Sequence, residues 1–247
     1  MANNQLLIGY LKELHVPTIR ECFEDIAQTA EQESLSYECY LLELAERECE
    51  ARRERRISRL LRESRLPLEK NIDSFDLKIL PAKVRQQVTT LLDSTFLDRK
   101  ENVLAFGNPG TGKTHLLCAI GQELIMSGRR VYFTPCSMLV QGLLLAKQNL
   151  KLSRLIKRLS KYDAIIIDDI GYVQQSREEM EVLFTLLAER YERGSIMITS
   201  NLPFSKWEVI FKDPMTTAAA IDRLVHHSVI LELNIKSYRV EQAQKDM

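Results

Sequence analysis

The sequence predicts an α/β fold: a five-stranded parallel sheet flanked by helices, preceded by a small all-helical N-terminal domain. Three observations carry this expectation. Five short apolar runs alternate with helical patterns across residues 101–247. A glycine-rich turn separates the first of those runs from a helix. Residues 1–66, by contrast, show only helical periodicity.

Taken in order, Thr18 is placed to cap a helix whose face carries Ile19, Cys22, Phe23, Ile26, Ala27 and Ala30 at helical spacing. Ser36 opens a second helix with Tyr37, Tyr40, Leu41 and Leu44 as its apolar stripe. It runs on into an arginine-rich stretch and stops before Pro67, which disfavours helix at Leu66. Residues 67–100 read as a connector with one helix, Ala82 to Leu92. Strands are expected at 103–106, 130–133, 164–167, 196–199 and 229–233, with Gly128 closing the helix after the first. Short apolar strands alternating with helices favour a parallel sheet covered on both faces.

Composition narrows the setting. Hydrophobic residues make up 45% and charged residues 28%, ordinary for a globular protein, and no apolar run approaches the length of a membrane span. Residues 1–5 lack the charged and apolar regions of a signal peptide, so a cytoplasmic protein is expected. Cys22, Cys39, Cys49, Cys118 and Cys136 form no C-x-x-C pair and read as reduced thiols, mostly core filler. His15, His115, His226 and His227 have no ligand spacing with any cysteine, which argues against zinc.

The chemistry concentrates in Gly107-Asn108-Pro109-Gly110-Thr111-Gly112-Lys113-Thr114-His115. The spacing G-x-x-x-x-G-K-T between an apolar strand and a helix is that of a phosphate-binding loop. Its backbone N–H groups form an anion cradle, and the following helix adds its positive N-terminus. Lys113 is expected on the β- and γ-phosphates of ATP and the Thr114 hydroxyl on Mg²⁺. Residues 164–167 lead into Asp168-Asp169. Asp168 is expected to hold Mg²⁺ through its water shell, and Asp169 to orient or deprotonate the attacking water. Asn201, at the end of the next strand, is a candidate to position that water, since strand carboxyl ends line the ligand crevice. Arg223 and Arg239 are each candidates for an arginine acting on the γ-phosphate, or for surface ion pairs.

With those motifs in this order, the chain resembles the IstB and DnaC group of AAA+ ATPases, transposition helpers of insertion sequences and loaders of the replicative helicase. Asp168-Asp169-Ile170-Gly171-Tyr172, the terminal Ser237-Tyr238-Arg239, and Leu41-Leu42-Glu43-Leu44 with Leu66-Pro67, Lys70 and Phe75-Asp76 are similar to the IstB branch. The resemblance implies a sensor-1 role for Asn201, an arginine finger at Arg223 and a sensor-2 role for Arg239. It also implies a bacterial ATPase that binds target DNA and serves a transposase. Two departures stand out. Asp169 occupies a position where many AAA+ proteins have Glu, so turnover is expected to be slow. Residues 234–247 are too few for the usual helical lid, so ATP is expected to be covered by a neighbouring subunit in a homo-oligomer.

Net charge is zero, so nucleic-acid binding must rest on local asymmetry. Lys147, Lys151, Arg154, Lys157, Arg158 and Lys161 occur without an intervening acid, on helices expected at 137–146 and 150–159. Lys147, Lys151, Arg154, Lys157 and Arg158 suit the phosphates of double-stranded DNA, with little sequence specificity. The resemblance adds that related AAA+ proteins face nucleic acid with an extra helix here. A solvated helix face is the alternative, and for the Arg/Glu run over residues 47–65 it stands level with a DNA or partner surface. A helicase loader binding single-stranded DNA, and a nucleotide-gated DNA clamp with little turnover, are the rival functions.

Overall fold

The computed structural model describes residues 2–171, 176–211, 214–235 and 237. The chain divides into two compact units, one ending at Arg59 and the other beginning at Leu60.

The first unit contains α1 (Ala2–Glu13), α2 (Pro17–Gln32) and most of α3 (Tyr37–Ser64). Phe23, Ile26 and Leu44 form its core, with Leu11, Ile19, Cys22 and Tyr40 packed around them. Ser36 opens α3 as expected, its hydroxyl accepting from the Cys39 N–H at 3.2 Å. Thr18 does not cap α2. The helix starts two residues earlier, with Val16 at the cap position and Pro17 in the first turn. The free amides of Thr18 and Ile19 instead donate to Glu48 Oε2 of α3 at 2.8 and 3.2 Å. A carboxylate satisfies those positive amides better than a neutral hydroxyl would. Arg52 Nε holds the other Glu48 oxygen at 2.8 Å, and Arg55 Nη2 donates to Thr18 Oγ1 at 2.9 Å.

Glu48 is buried, which works to raise its pKa, but the bonds from Arg52, Ile19 and Thr18 outweigh burial and hold it below the usual range. The stabilisation from a lowered carboxylate pKa is present above the ordinary range and is lost as pH falls through the folded value. Glu48→Gln should therefore cost about 1–3 kcal/mol near neutral pH. That deficit should shrink in melts taken below about pH 4, where the wild type loses the same charge.

The α3 helix stops short of Pro67. Arg65 takes φ 60°, and Ser64 Oγ donates to Leu61 O and accepts from the Leu66 N–H. Within α3, Arg47–Glu43 pairs at i,i+4 as a solvated face would, whereas the Arg52–Glu48 pair has its carboxylate buried. Cys118 and Cys136 are buried as expected, but Cys39 and Cys49 are exposed on α3.

The second unit continues through a 3₁₀ turn (Leu77–Ile79), α4 (Ala82–Leu92), α5 (Thr95–Asp98), β1 (Asn102–Phe106), α6 (Lys113–Met126) and β2 (Val131–Pro135). Next come α7 (Cys136–Gln148), α8 (Leu152–Leu159), β3 (Ala164–Asp168), α9 (Arg177–Arg190) and β4 (Ser195–Ser200). The final described elements are α10 (Glu208–Phe211), α11 (Pro214–Val225) and β5 (Ser228–Glu232). The five strands lie parallel in the order β2-β3-β4-β1-β5.

Strand alternation divides the core. Leu104, Ile165, Ile167, Ile196 and Ile198 pack with Leu139, Val140 and Leu143 of α7 and Leu183, Leu186 and Leu187 of α9. On the other face α6 lies close enough that a Cβ on Gly121 would meet Ile166 Cδ1 at 2.8 Å. The α6 helix closes as the sequence predicts: Gly128 N–H donates to Ile125 O and Arg129 N–H to Leu124 O, a Schellman closure.

Two buried polar side chains fasten the amino ends of the strands. Asn102 donates to Leu224 O at 3.1 Å and accepts from the Ile196 N–H at 2.9 Å, tying the end of α11 to β4. Arg190 donates to the carbonyls of Leu159, Tyr162, Asp163 and Ser195 at 2.9–3.1 Å, joining the end of α8, the start of β3 and β4.

Candidate nucleotide site

The phosphate loop joins the carboxyl end of β1, an interior strand between β4 and β5, to α6. Asn108 and Pro109 are exposed at its tip, while Thr111 is buried and donates through Oγ1 to Asn108 O at 2.9 Å. Gly112 sits at φ 84° immediately before α6, and a Cβ there would meet Phe75 Cε2 at 2.8 Å. Gly107 lies so near the strand end beside it that a Cβ would fall 2.6 Å from Leu233 O. Lys113 is buried, and its Nζ donates to Gly107 O at 2.8 Å and Asn108 O at 2.9 Å, bringing the ammonium to the inner side of the loop.

Register brings the acidic strand beside the loop. Thr114 Oγ1 donates to Asp168 Oδ1 at 2.8 Å, so the hydroxyl and carboxylate expected to share Mg²⁺ are adjacent. Both offer hard oxygen donors, the set that suits this ion. Thr199 of β4 completes the corner. Its Oγ1 donates to the same Asp168 oxygen at 2.7 Å and accepts from the Asp169 N–H at 2.8 Å. That bond, with Ile170 N–H on Thr199 O at 3.0 Å, holds Asp169 at φ 58°, where the chain turns sharply out of β3. Asn201 follows the end of β4, and the pairing of Phe106 with Ser200 sets it beside the first residue of the loop.

Sequence reasoning did not single out Thr199. The signal was available: it is the residue of β4 that falls level with Asp168 once parallel strands are aligned. Replacing Thr199 with Val keeps the shape but removes both bonds. ATP turnover should then fall about 10-fold to 100-fold, with nucleotide affinity changed less, in a steady-state and binding comparison.

The connector supplies another group that sequence reasoning left without a role. The Phe75 ring meets His115 edge-on at a centroid distance of 5.1 Å. His115 Nε2 lies 3.1 Å from both Asn71 O and Ser74 Oγ. Gln122 donates to Pro67 O at 3.2 Å and Lys70 O at 3.0 Å. His115, expected among the nucleotide contacts, therefore anchors the connector along α6.

Arg223 is not brought to this loop. It lies in the last turn of α11, whose carbonyls bond Asn102 at the amino end of β1. The loop follows the other end of that strand, about 13 Å away at about 3.3 Å per residue. The Arg223 guanidinium stacks 4.8 Å from the centroid of the Phe184 ring on α9 and is half-buried. Arg239 and Tyr172 lie outside the described residues.

Of the basic residues, Lys151, Arg154, Lys157, Arg158 and Lys161 are exposed, while Leu152, Leu155, Ile156 and Leu159 turn α8 into the core. Lys147 stands apart, paired with Glu181 of α9 at 3.0 Å. Elsewhere, exposed Glu192, His226 and His227 bring ligand atoms within 4.8 Å of one another, a grouping that a search for cysteine partners could not find. Among the described residues, no helix is long and apolar enough to cross a membrane.

Comparison with known proteins gives the family. Residues 9–246 match the family model described as IstB-like ATP binding protein. A protein of Sinorhizobium fredii, named for an insertion sequence and for ATP binding, is 43% identical over 95% of this chain and 79% of its own length. The corresponding protein named for IS21 in Pseudomonas aeruginosa is 37% identical over 98% of this chain and 90% of its own. Among solved structures, DnaI superposes with a TM-score of 0.57 at 19% identity, covering 68% of this chain and 95% of that one. The replication initiator DnaA, bound to AMPPCP and single-stranded DNA, gives 0.58 at 18% identity, covering 74% and 56%. The fold is that of an AAA+ P-loop nucleotide-binding protein, and the chain belongs to the family of IstB-like ATP-binding proteins.

Proposed function

We propose that this protein is an ATPase that assembles with ATP on double-stranded DNA and delivers that DNA to a partner transposase. The observation that carries the reading is the exposed basic row of Lys151, at the start of α8, with Arg154, Lys157 and Arg158 along it, on a helix whose other side packs into the core that also holds Ile165 and Ile167 of β3. This exposed basic row and the strand that ends in Asp168 belong to the same compact unit. The insertion-sequence names of the relatives supply the transposase as the process served.

In this reading Lys113 and the loop amides bind the triphosphate, and Thr114 with Asp168 would hold Mg²⁺, which would supply charge neutralisation at the phosphates. Thr199 fixes the Asp168 carboxylate and the Asp169 backbone, and Asp169 with Asn201 orients water toward the γ-phosphate. Arg223, at the far end of the sheet, acts on the site of a neighbouring subunit, so assembly and turnover are linked. Hydrolysis then releases or remodels the assembly.

Hydrolysis measured with duplex DNA, single-stranded DNA or neither tests this. Duplex should stimulate turnover, and alanine at Lys151, Arg154, Lys157 and Arg158 together should remove the stimulation. The same variant should flatten the salt dependence of duplex binding by about 0.9 in log–log slope per lost contact. Stimulation by single strands alone would replace this reading with a helicase loader.

A further inference from the structure

The turn from α9 to β4 and the turn from α11 to β5 meet at the amino ends of the strands, away from the end that carries the phosphate loop. Glu192 of the first turn and His226 and His227 of the second bring one ligand atom each within 4.8 Å of one another, and all three side chains are exposed. Two buried residues hold the backbone beneath them. Arg190 donates to Ser195 O at 2.9 Å, and its own carbonyl accepts from the Arg193 and Gly194 N–H groups at 2.9 and 3.0 Å, around Glu192 at φ 58°. Asn102 N–H donates to His227 O at 2.7 Å, and its side chain to Leu224 O at 3.1 Å. Neighbouring residues of a strand point to opposite faces, but in this turn the two imidazoles stand edge to face with centroids 4.1 Å apart.

The donor chemistry selects the ion. Two imidazoles and a carboxylate suit zinc, whereas magnesium and calcium take oxygen donors. Cysteine spacing bears only on thiolate sites and leaves this set untouched. Zinc bonds of about 2.0–2.2 Å at tetrahedral angles put donors about 3.3–3.6 Å apart, so the three groups need to close by only about 1 Å. Exposed side chains do this by small rotations. Among the described residues Glu192 forms no ion pair, and Arg193 beside it is taken by Glu189 at 3.1 Å. Tyr191 supplies an outer contact: its hydroxyl lies 3.1 Å from His226 Nδ1. With Nε2 on a metal, Nδ1 carries the proton and donates to that hydroxyl, a contact of the kind that orients metal-bound histidines. We propose that Glu192, His226 and His227 form a zinc site, with water in the fourth position, that staples the α9–β4 turn to the α11–β5 turn. The site is separate from Thr114 and Asp168 at the other end of the sheet, and it calls for neither nucleotide nor DNA.

The test is calorimetric titration of the full chain with zinc at neutral pH, without nucleotide and with excess Mg²⁺ to occupy sites of hard oxygen donors. One equivalent should bind, and zinc at about a hundredfold excess over its Kd should raise the melting temperature by about 5 °C or more. His226→Ala, His227→Ala and Glu192→Gln should each weaken binding about 100-fold or more. Their metal-free melts should match the wild type, because the three side chains are exposed. Tyr191→Phe should weaken binding about tenfold, by releasing the His226 ring from its outer contact. Cobalt in place of zinc should give the d–d absorption of a tetrahedral nitrogen–oxygen site, without thiolate charge transfer. Wild-type protein that binds no zinc overturns the site, as do His226→Ala and His227→Ala proteins that bind it as tightly as the wild type. Thiolate charge transfer with cobalt would put the ion on cysteine, such as exposed Cys39 or Cys49, and would overturn the site as well.

Discussion

Arg223→Ala protein is expected to hydrolyse ATP about 10³-fold more slowly than wild type or worse, the scale on which an arginine supplied to a γ-phosphate accelerates transfer. Nucleotide affinity should change little, because Arg223 lies beside the amino end of β1 and the phosphate loop follows its carboxyl end. The defect should therefore be repairable from outside. Lys113→Ala subunits lack a working loop but keep Arg223, so mixing them with Arg223→Ala subunits should restore a fraction of the turnover that neither shows alone. If turnover stays at the level of the separate variants at every mixing ratio, Arg223 does not act across an interface. The stacking of its guanidinium on Phe184 also predicts that Phe184→Leu lowers turnover more modestly, by loosening the arginine it supports.

The second large effect is on stability. Arg190→Met should destabilise the second unit by about 3–4 kcal/mol, because its nitrogens satisfy four carbonyls that no solvent reaches readily. Burial presses the Arg190 pKa down to about 10, still well above neutral, so the charge is retained and distributed over those carbonyls. Gly194 makes room for it: a Cβ there would lie 2.5 Å from Arg190 Nη2. Gly194→Ala should thus reproduce part of the defect. Thermal melts monitored by near-UV circular dichroism would report both, and a loss below about 1 kcal/mol for Arg190→Met would show that water replaces the guanidinium there.

The sheet was legible because each strand is a short apolar run bounded by polar turns, and the expected positions agree with the observed ones to within about two residues. Gly128 and the helix Ala82–Leu92 were equally readable, since their signals are local. What the sequence hid is long-range. Glu48 caps α2 from another helix, which no spacing rule near Thr18 could reveal. Thr199 acquires its meaning from parallel register, and Phe75, Asn71 and Ser74 from the docking of the connector along α6. Lys147 was grouped with the basic row by charge alone, and Glu181 on α9 partners it. The phosphate loop needed none of this, because its spacing already encodes its conformation.

Sedimentation of the protein with duplex DNA, with and without ATP, tests most directly whether nucleotide binding builds a DNA-holding assembly. Wild-type protein should form large particles that retain duplex of any sequence only when ATP is present, and Lys113→Ala should stay small under every condition. Protein that remains small with ATP, or that assembles on duplex equally well without it, would contradict the account.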